Sequence, residues 1–170
     1  AAELAAYVCL DYEDLSGARE WIAKSSRLSN EAAIATTVRS HEHALDRLSI
    51  QEGDFSTVCS RVLARLRASK SPGTAQARLG ELALAALCLS KLGHKAEAEI
   101  IISETVTALH PILGQYSSHF SVELTARSLQ TLGHTDSAAA LVRNHMQARV
   151  AQNPPKLPPF FAQLASAEVN

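Results

Sequence analysis

Three glycines stand forty residues apart, and each closes the same kind of segment. Gly53 ends ALDRLSIQEG, Gly93 ends AALCLSKLG and Gly133 ends TARSLQTLG. A fresh apolar-periodic run follows each one: DFSTVCSRVLARL, HKAEAEIIISETV and HTDSAAALVRNHM. A fixed period of this size is the mark of a helical repeat, in which every unit is a helix pair that cannot bury its apolar face alone. Gly suits the end of a first helix because it adopts positive φ without a Cβ clash. The pattern predicts an all-α chain of about four antiparallel helix hairpins stacked as an α-solenoid.

The punctuation sets the limits. The first hairpin pairs 2–12 with 15–28, the second 31–52 with 54–68, the third 74–92 with 95–109 and the fourth 117–132 with 135–151. SKSPG (69–73), HPILGQYSS (110–118) and NPP (153–155) break helices through Pro and Gly. Asp54 and Asp136 sit where a carboxylate can meet the free N–H groups of a second helix. Within the third hairpin, Leu82, Ala85, Ala86 and Leu89 recur at three- and four-residue steps, as do Ala98, Ile101, Ile102 and Thr105. Strict alternation is missing, so no sheet is expected. The domain reading is a helical-repeat domain over 1–152 and a Pro-rich extension over 153–170.

Composition narrows the function. Sixteen Lys and Arg against seventeen Asp and Glu leave a net charge of -1, which is no footprint for nucleic acid. The basic stretch RVLARLRASK (61–70) reads as the wet stripe of an amphipathic helix. No run approaches the ~18–20 apolar residues of a membrane span. The opening AAELAAYVCL begins without Met and lacks a basic n-region, so it does not read as a signal peptide. The chain is expected to be a section of a longer protein or a processed product. Cys9, Cys59 and Cys88 lie in apolar helical runs with no CxxC spacing, which predicts buried reduced thiols and a cytoplasmic setting.

These residues resemble the tetratricopeptide repeat (TPR), whose second helix opens on a GDYxEA-like signature. GHKAEA (93–98), GHTDSA (133–138) and GDFSTV (53–58) carry the likeness, which extends over about 2–152. Placed on that pattern, Ala86 takes the small position where two helices cross, Ala98 the small position of the second helix and Ile102 the large apolar one. Stepping by forty gives Ala126, Ala138 and Val142, then Ala6, Ala18 and Ile22, then Asp46, Val58 and Val62. The usual repeat is about thirty-four residues, so this is a longer variant. Asp46 and Val58 depart from the small residues wanted, and the first hairpin has Glu13 in place of the turn glycine.

The resemblance implies a concave groove lined by first helices. Its positions fall on Tyr7, Leu10 and Asp11; on His43, Arg47, Ile50 and Gln51; on Ala83, Leu87, Ser90 and Lys91; and on Glu123, Arg127, Gln130 and Thr131. Tyr7, His43, Arg47, Leu87, Lys91, Glu123, Arg127 and Gln130 are the candidate partner-binding residues. Three cations among them suit an extended or helical peptide carrying an acidic group. In the tail NPPKLPPFF, Phe160 and Phe161 are costly to leave in water; they are expected either to pack on the last hairpin and cap the open end of the stack or to serve as a docking motif for another protein.

Motifs for chemistry are missing. No HExxH, GxSxG, P-loop or GxGxxG occurs. His41 and His43 point about 200° apart on a helix and cannot share a metal. His94 and His134 hold equivalent positions one repeat apart, about 10 Å in a helix stack, too far for one ion. Glu97 with Glu99, and Asp11 with Glu13 and Asp14, read as solvated faces. The expectation is a non-enzymatic interaction module or scaffold with no cofactor, no metal and no contact with nucleic acid or membrane. It would bind a protein or peptide partner and could belong to a larger complex. Two other readings stand beside it: a structural subunit of a large assembly, and a regulatory domain sensing a ligand or peptide within a larger protein.

Overall fold

The computed structural model describes residues 2–32, 35–68 and 75–152, with side chains described for 2, 5–27, 42–68 and 75–152. Among the described residues there are eight α-helices and no strand, so the chain is all-α. They are α1 (Ala2–Asp11), α2 (Leu15–Ala32), α3 (Ala35–Gln51), α4 (Phe55–Ala68), α5 (Ala75–Lys91), α6 (Lys95–Leu109), α7 (His119–Thr131) and α8 (Thr135–Gln152). Two short 3₁₀ turns, His110–Ile112 and Tyr116–Ser118, join α6 to α7. The chain divides into two compact units, Ala1–Val58 and Cys59–Asn170, with the division falling inside α4.

One turn geometry recurs four times at the forty-residue step. The N–H of Asp14, Asp54, His94 and His134 donates to the carbonyl five residues back, on Cys9, Ser49, Leu89 and Leu129, at 2.8–2.9 Å. The residue just before each has positive φ: +59° at Glu13, +86° at Gly53, +83° at Gly93 and +88° at Gly133. Glu13 therefore holds a left-handed conformation that disfavours any side chain with a Cβ. The next position changes in chemistry, from Asp in the first two turns to His in the last two. Asp14 Oδ1 accepts from the N–H of Gly17 (2.9 Å) and Asp54 Oδ1 from that of Thr57 (3.2 Å), which are N-cap bonds. His94 makes no such bond, and His134 Nε2 instead meets Glu99 Oε1 at 3.5 Å.

In the first unit α1, α2 and α3 enclose Ala6, Leu10, Ala18, Ile22, Ala44 and Leu48, flanked by Tyr7, Leu15, Trp21 and Leu45. The small side chains Ala6 and Ala18 are fully buried, which lets the backbones approach. Arg19 of α2 pairs with Glu52 just past α3 (2.6 Å), and Gln51 Nε2 donates to the Leu10 carbonyl (2.9 Å). Asp46, which stands where a small residue is wanted, is buried. None of the three cysteines is in a disulfide; Cys59 and Cys88 are buried, whereas Cys9 is only half-buried.

The second unit is built around α5, which packs on both α6 and α7. Every residue from Leu79 to Ser90 is buried. A helix without a wet stripe must be covered all round, and LGELALAALCLS has the small and apolar residues to allow it. The main cluster joins Leu79 and Ala86 of α5, Ile102 and Leu109 of α6, Val122, Ala126 and Leu129 of α7, and Ala138 and Leu141 of α8. Glu81 is the one charged residue in the buried run, and Arg65 of α4 neutralises it at 3.3 Å.

Candidate functional site

The groove residues expected from the sequence fall into separate groups, one in each unit. In the first unit, Arg47 Nη2 on α3 meets Asp11 Oδ1 at the end of α1 at 2.7 Å. The same guanidinium lies over the Tyr7 ring, 5.6 Å from its centroid. Tyr7, Asp11 and Arg47 thus form one assembly, an aromatic face and a carboxylate orienting a planar cation. His43 is half-buried one turn earlier on α3. Arg47 keeps 15% of its side chain exposed while Asp11 keeps 60%, so the carboxylate is the wetter, more replaceable partner.

In the second unit the members do not all share one environment. Arg127 and Glu123 pair along α7 at 2.8 Å, both with solvent access. Gln130 and Thr131 are exposed one turn on, and Lys91 is exposed at the end of α5. Leu87 is different: it is 1% exposed, and Ala83 and Ser90 are buried with it. These three belong to the covered core of α5 rather than to a surface. A groove position transferred from a resemblance assumes an exposed first-helix face, and α5 has none over Leu79–Ser90.

Among the described residues no three His, Cys, Asp or Glu side chains converge at metal-binding distance. The side chain of His41 and the whole of 153–170, with Phe160 and Phe161, lie outside the described residues. Burial pushes the Cys59 thiol up, away from the reactive thiolate. No helix among the described residues is long and apolar enough to cross a membrane.

One polar cluster had no signal in the sequence beyond its helix breakers. His145 of α8 is fully buried, and its Nδ1 accepts a hydrogen bond from the Gly114 N–H at 3.1 Å. That contact requires neutral imidazole with the proton on Nε2. Burial, with His119 and Arg149 nearby, holds its pKa down at about 4. The His119 ring lies 5.6 Å away, and Arg149 reaches over Tyr116 at 5.4 Å. Gly114 has φ +85°, and a Cβ there would sit 2.7 Å from the Ala148 carbonyl carbon. His145 and Gly114 together fasten the 110–118 connection to α8, a positioning role. Thirty-one residues separate them, so no local pattern announces the pair.

A scan against protein-family models returned no match. Searches of curated proteins and of solved structures likewise returned none.

Proposed function

We propose that this chain is a non-enzymatic, tetratricopeptide-like helical-repeat module of the cytoplasm that binds a segment of another protein. The observation that carries the reading is the turn repeated at 13, 53, 93 and 133, with one hydrogen-bond pattern each time. Helix pairs repeated in this way stack as a solenoid and present their first helices as a binding surface. The residues best suited to a partner are Tyr7, His43 and Arg47 in the first unit and Lys91, Glu123, Arg127 and Gln130 in the second. Leu87 is left out because it is covered.

The partner is a peptide or helix bearing a carboxylate. Arg127 already holds Glu123 in a pair with solvent access on both sides, and such an exposed pair is worth at most about 1 kcal/mol. An incoming carboxylate can therefore exchange with Glu123 at small cost. At Arg47, which is largely covered, the exposed partner Asp11 is the one to be replaced, and the Tyr7 ring keeps the guanidinium oriented meanwhile. The test is affinity capture with Arg47→Glu and Arg127→Glu variants, read by quantitative mass spectrometry at two salt concentrations. Partners should be lost on charge reversal and weakened by salt. The surface is wrong if both variants keep the same partners at the same strength.

A second reading, a structural subunit of a large assembly, draws on the bare apolar side chains of the second unit, of which Ile100 is 70% exposed. Size-exclusion with light scattering separates the two, since a subunit made for permanent burial should self-associate when isolated.

A further inference from the structure

Forty residues apart, Ile102 and Val142 occupy the same place in successive second helices. Each lies four residues after a buried alanine, Ala98 and Ala138, and each helix follows the same turn. Their surroundings differ. Ile102 is 6% exposed, buried in the cluster with Val122 and Ala126 of the next helix, α7. Val142 is 42% exposed. Among the described residues no helix comes after α8.

Val142 is not a lone apolar residue. Ala139, Met146 and Val150 lie beside it on α8, three, four and eight residues away, and Met146 and Val150 are only half-buried. At 100° per residue, these four span about 80° of the helix circumference. That stripe adjoins the face which buries Ala138, Leu141 and His145. Arg143 and Gln147 continue round to solvent. The stripe is the shape of a seam meant for one more apolar element.

The chain supplies such an element. Directly after Gln152 come NPPKLPP and then FFAQLASAEVN. Phe160 and Phe161 stand four and three residues before Leu164, the spacing of one helical face. The reach fits. Residues 153–159 can span up to about 23 Å when extended, while the path back along α8 from Gln152 to Val142 is about 15 Å. We propose that residues 160–164 of this chain dock on the Val142–Met146–Val150 stripe of α8, with Phe160, Phe161 and Leu164 as the anchors. The docked segment does for α8 what α7 does for α6. The proposal is independent of the partner-binding surface, since none of these residues belongs to it.

The experiment is hydrogen–deuterium exchange on the full chain, read over peptides covering 142–152 and 95–109. Phe160→Ser with Phe161→Ser, and separately Val142→Gln, should each raise exchange in 142–152 by about tenfold and leave 95–109 unchanged. All three changes together should raise it no further than either set alone, because they remove one contact. The proposal is overturned if the Phe pair leaves 142–152 unchanged. That holds whether light scattering then shows a second copy covering the stripe or shows a monomer with the stripe bare. Should Val142→Gln loosen 95–109 as well, the Phe pair decides alone, because it changes residues beyond the eight helices.

Discussion

Replacing Glu13 by glycine should make the first unit more stable. Of the four turns at the forty-residue step, only this one puts a side chain with a Cβ at positive φ, +59°. Holding a non-glycine residue there costs about 1–2 kcal/mol. Glycine removes that cost but adds about 0.5–1 kcal/mol of chain entropy to be lost on folding. The net gain, taken between the midpoints of the two ranges, is about 0.7 kcal/mol. Nothing else should change: Glu13 is exposed, and its hydrogen bonds, from its N–H to Leu10 and from Leu15 to its carbonyl, are backbone bonds that glycine keeps. The assay is urea unfolding followed by the fluorescence of Trp21, the single tryptophan, which packs beside the core of this unit. Glu13→Asn should fall between glycine and wild type, because Asn tolerates the left-handed region better than Glu. Gly133→Ala is the mirror experiment. With φ +88° and nothing within 4 Å of an added Cβ, it should lose about 1 kcal/mol through conformation alone. If Glu13→Gly gives no gain while Gly133→Ala gives its loss, the four turns are not energetically equivalent and the repeat argument fails at its first member.

Three further outcomes concern the second unit. Gly114→Ala should cost about 2–5 kcal/mol, the left-handed penalty plus displacement of the α8 backbone at Ala148, and urea midpoints should rank it well below Gly133→Ala. His145 has its folded pKa depressed to about 4 from 6.5, so the unfolded chain takes up its proton first as pH falls. Stability should be flat in this respect above about pH 6.5, drop by about 3 kcal/mol between 6.5 and 4, and level off below; His145→Asn, keeping an acceptor without a titration, should flatten that slope in denaturant curves taken at several pH values. Glu81→Ala removes the carboxylate that meets Arg65 at 3.3 Å, and calorimetry should find a loss of about 1.5–3 kcal/mol, the range for a hydrogen bond to a charged group.

The readable parts of this fold were the local ones. Gly53, Gly93 and Gly133 act through their own φ, and Asp54 through N–H groups three residues away, so their meaning travels with the sequence. The helix limits accordingly fall within a few residues of the expected ones, and the small residues at 6, 18, 98 and 138 are buried. Features that depend on distant chain were not readable. Periodicity marks Leu82, Ala85, Ala86 and Leu89 as one face of α5, but Ala83 and Leu87 on the other side are equally buried, and only the neighbours of α5 decide that. The hold of His145 on Gly114 spans two helices and a connection. The unlike exposures of Ile102 and Val142, identical in register, reflect the neighbouring elements that cover each helix rather than either residue itself.

The fully enclosed α5 has a consequence for how the molecule comes into being. Synthesis runs from the amino end, and a ribosome adds about 5–20 residues per second. The helix is complete once Lys91 is added, but α7 is not finished until Thr131, which is about 2–8 s later. Through that interval α6 can sheathe one side of the greasy rod, but the side that α7 covers stays bare. A nascent chain stalled anywhere between the two points should recruit a holding chaperone or clump, and release of either should coincide with the emergence of α7.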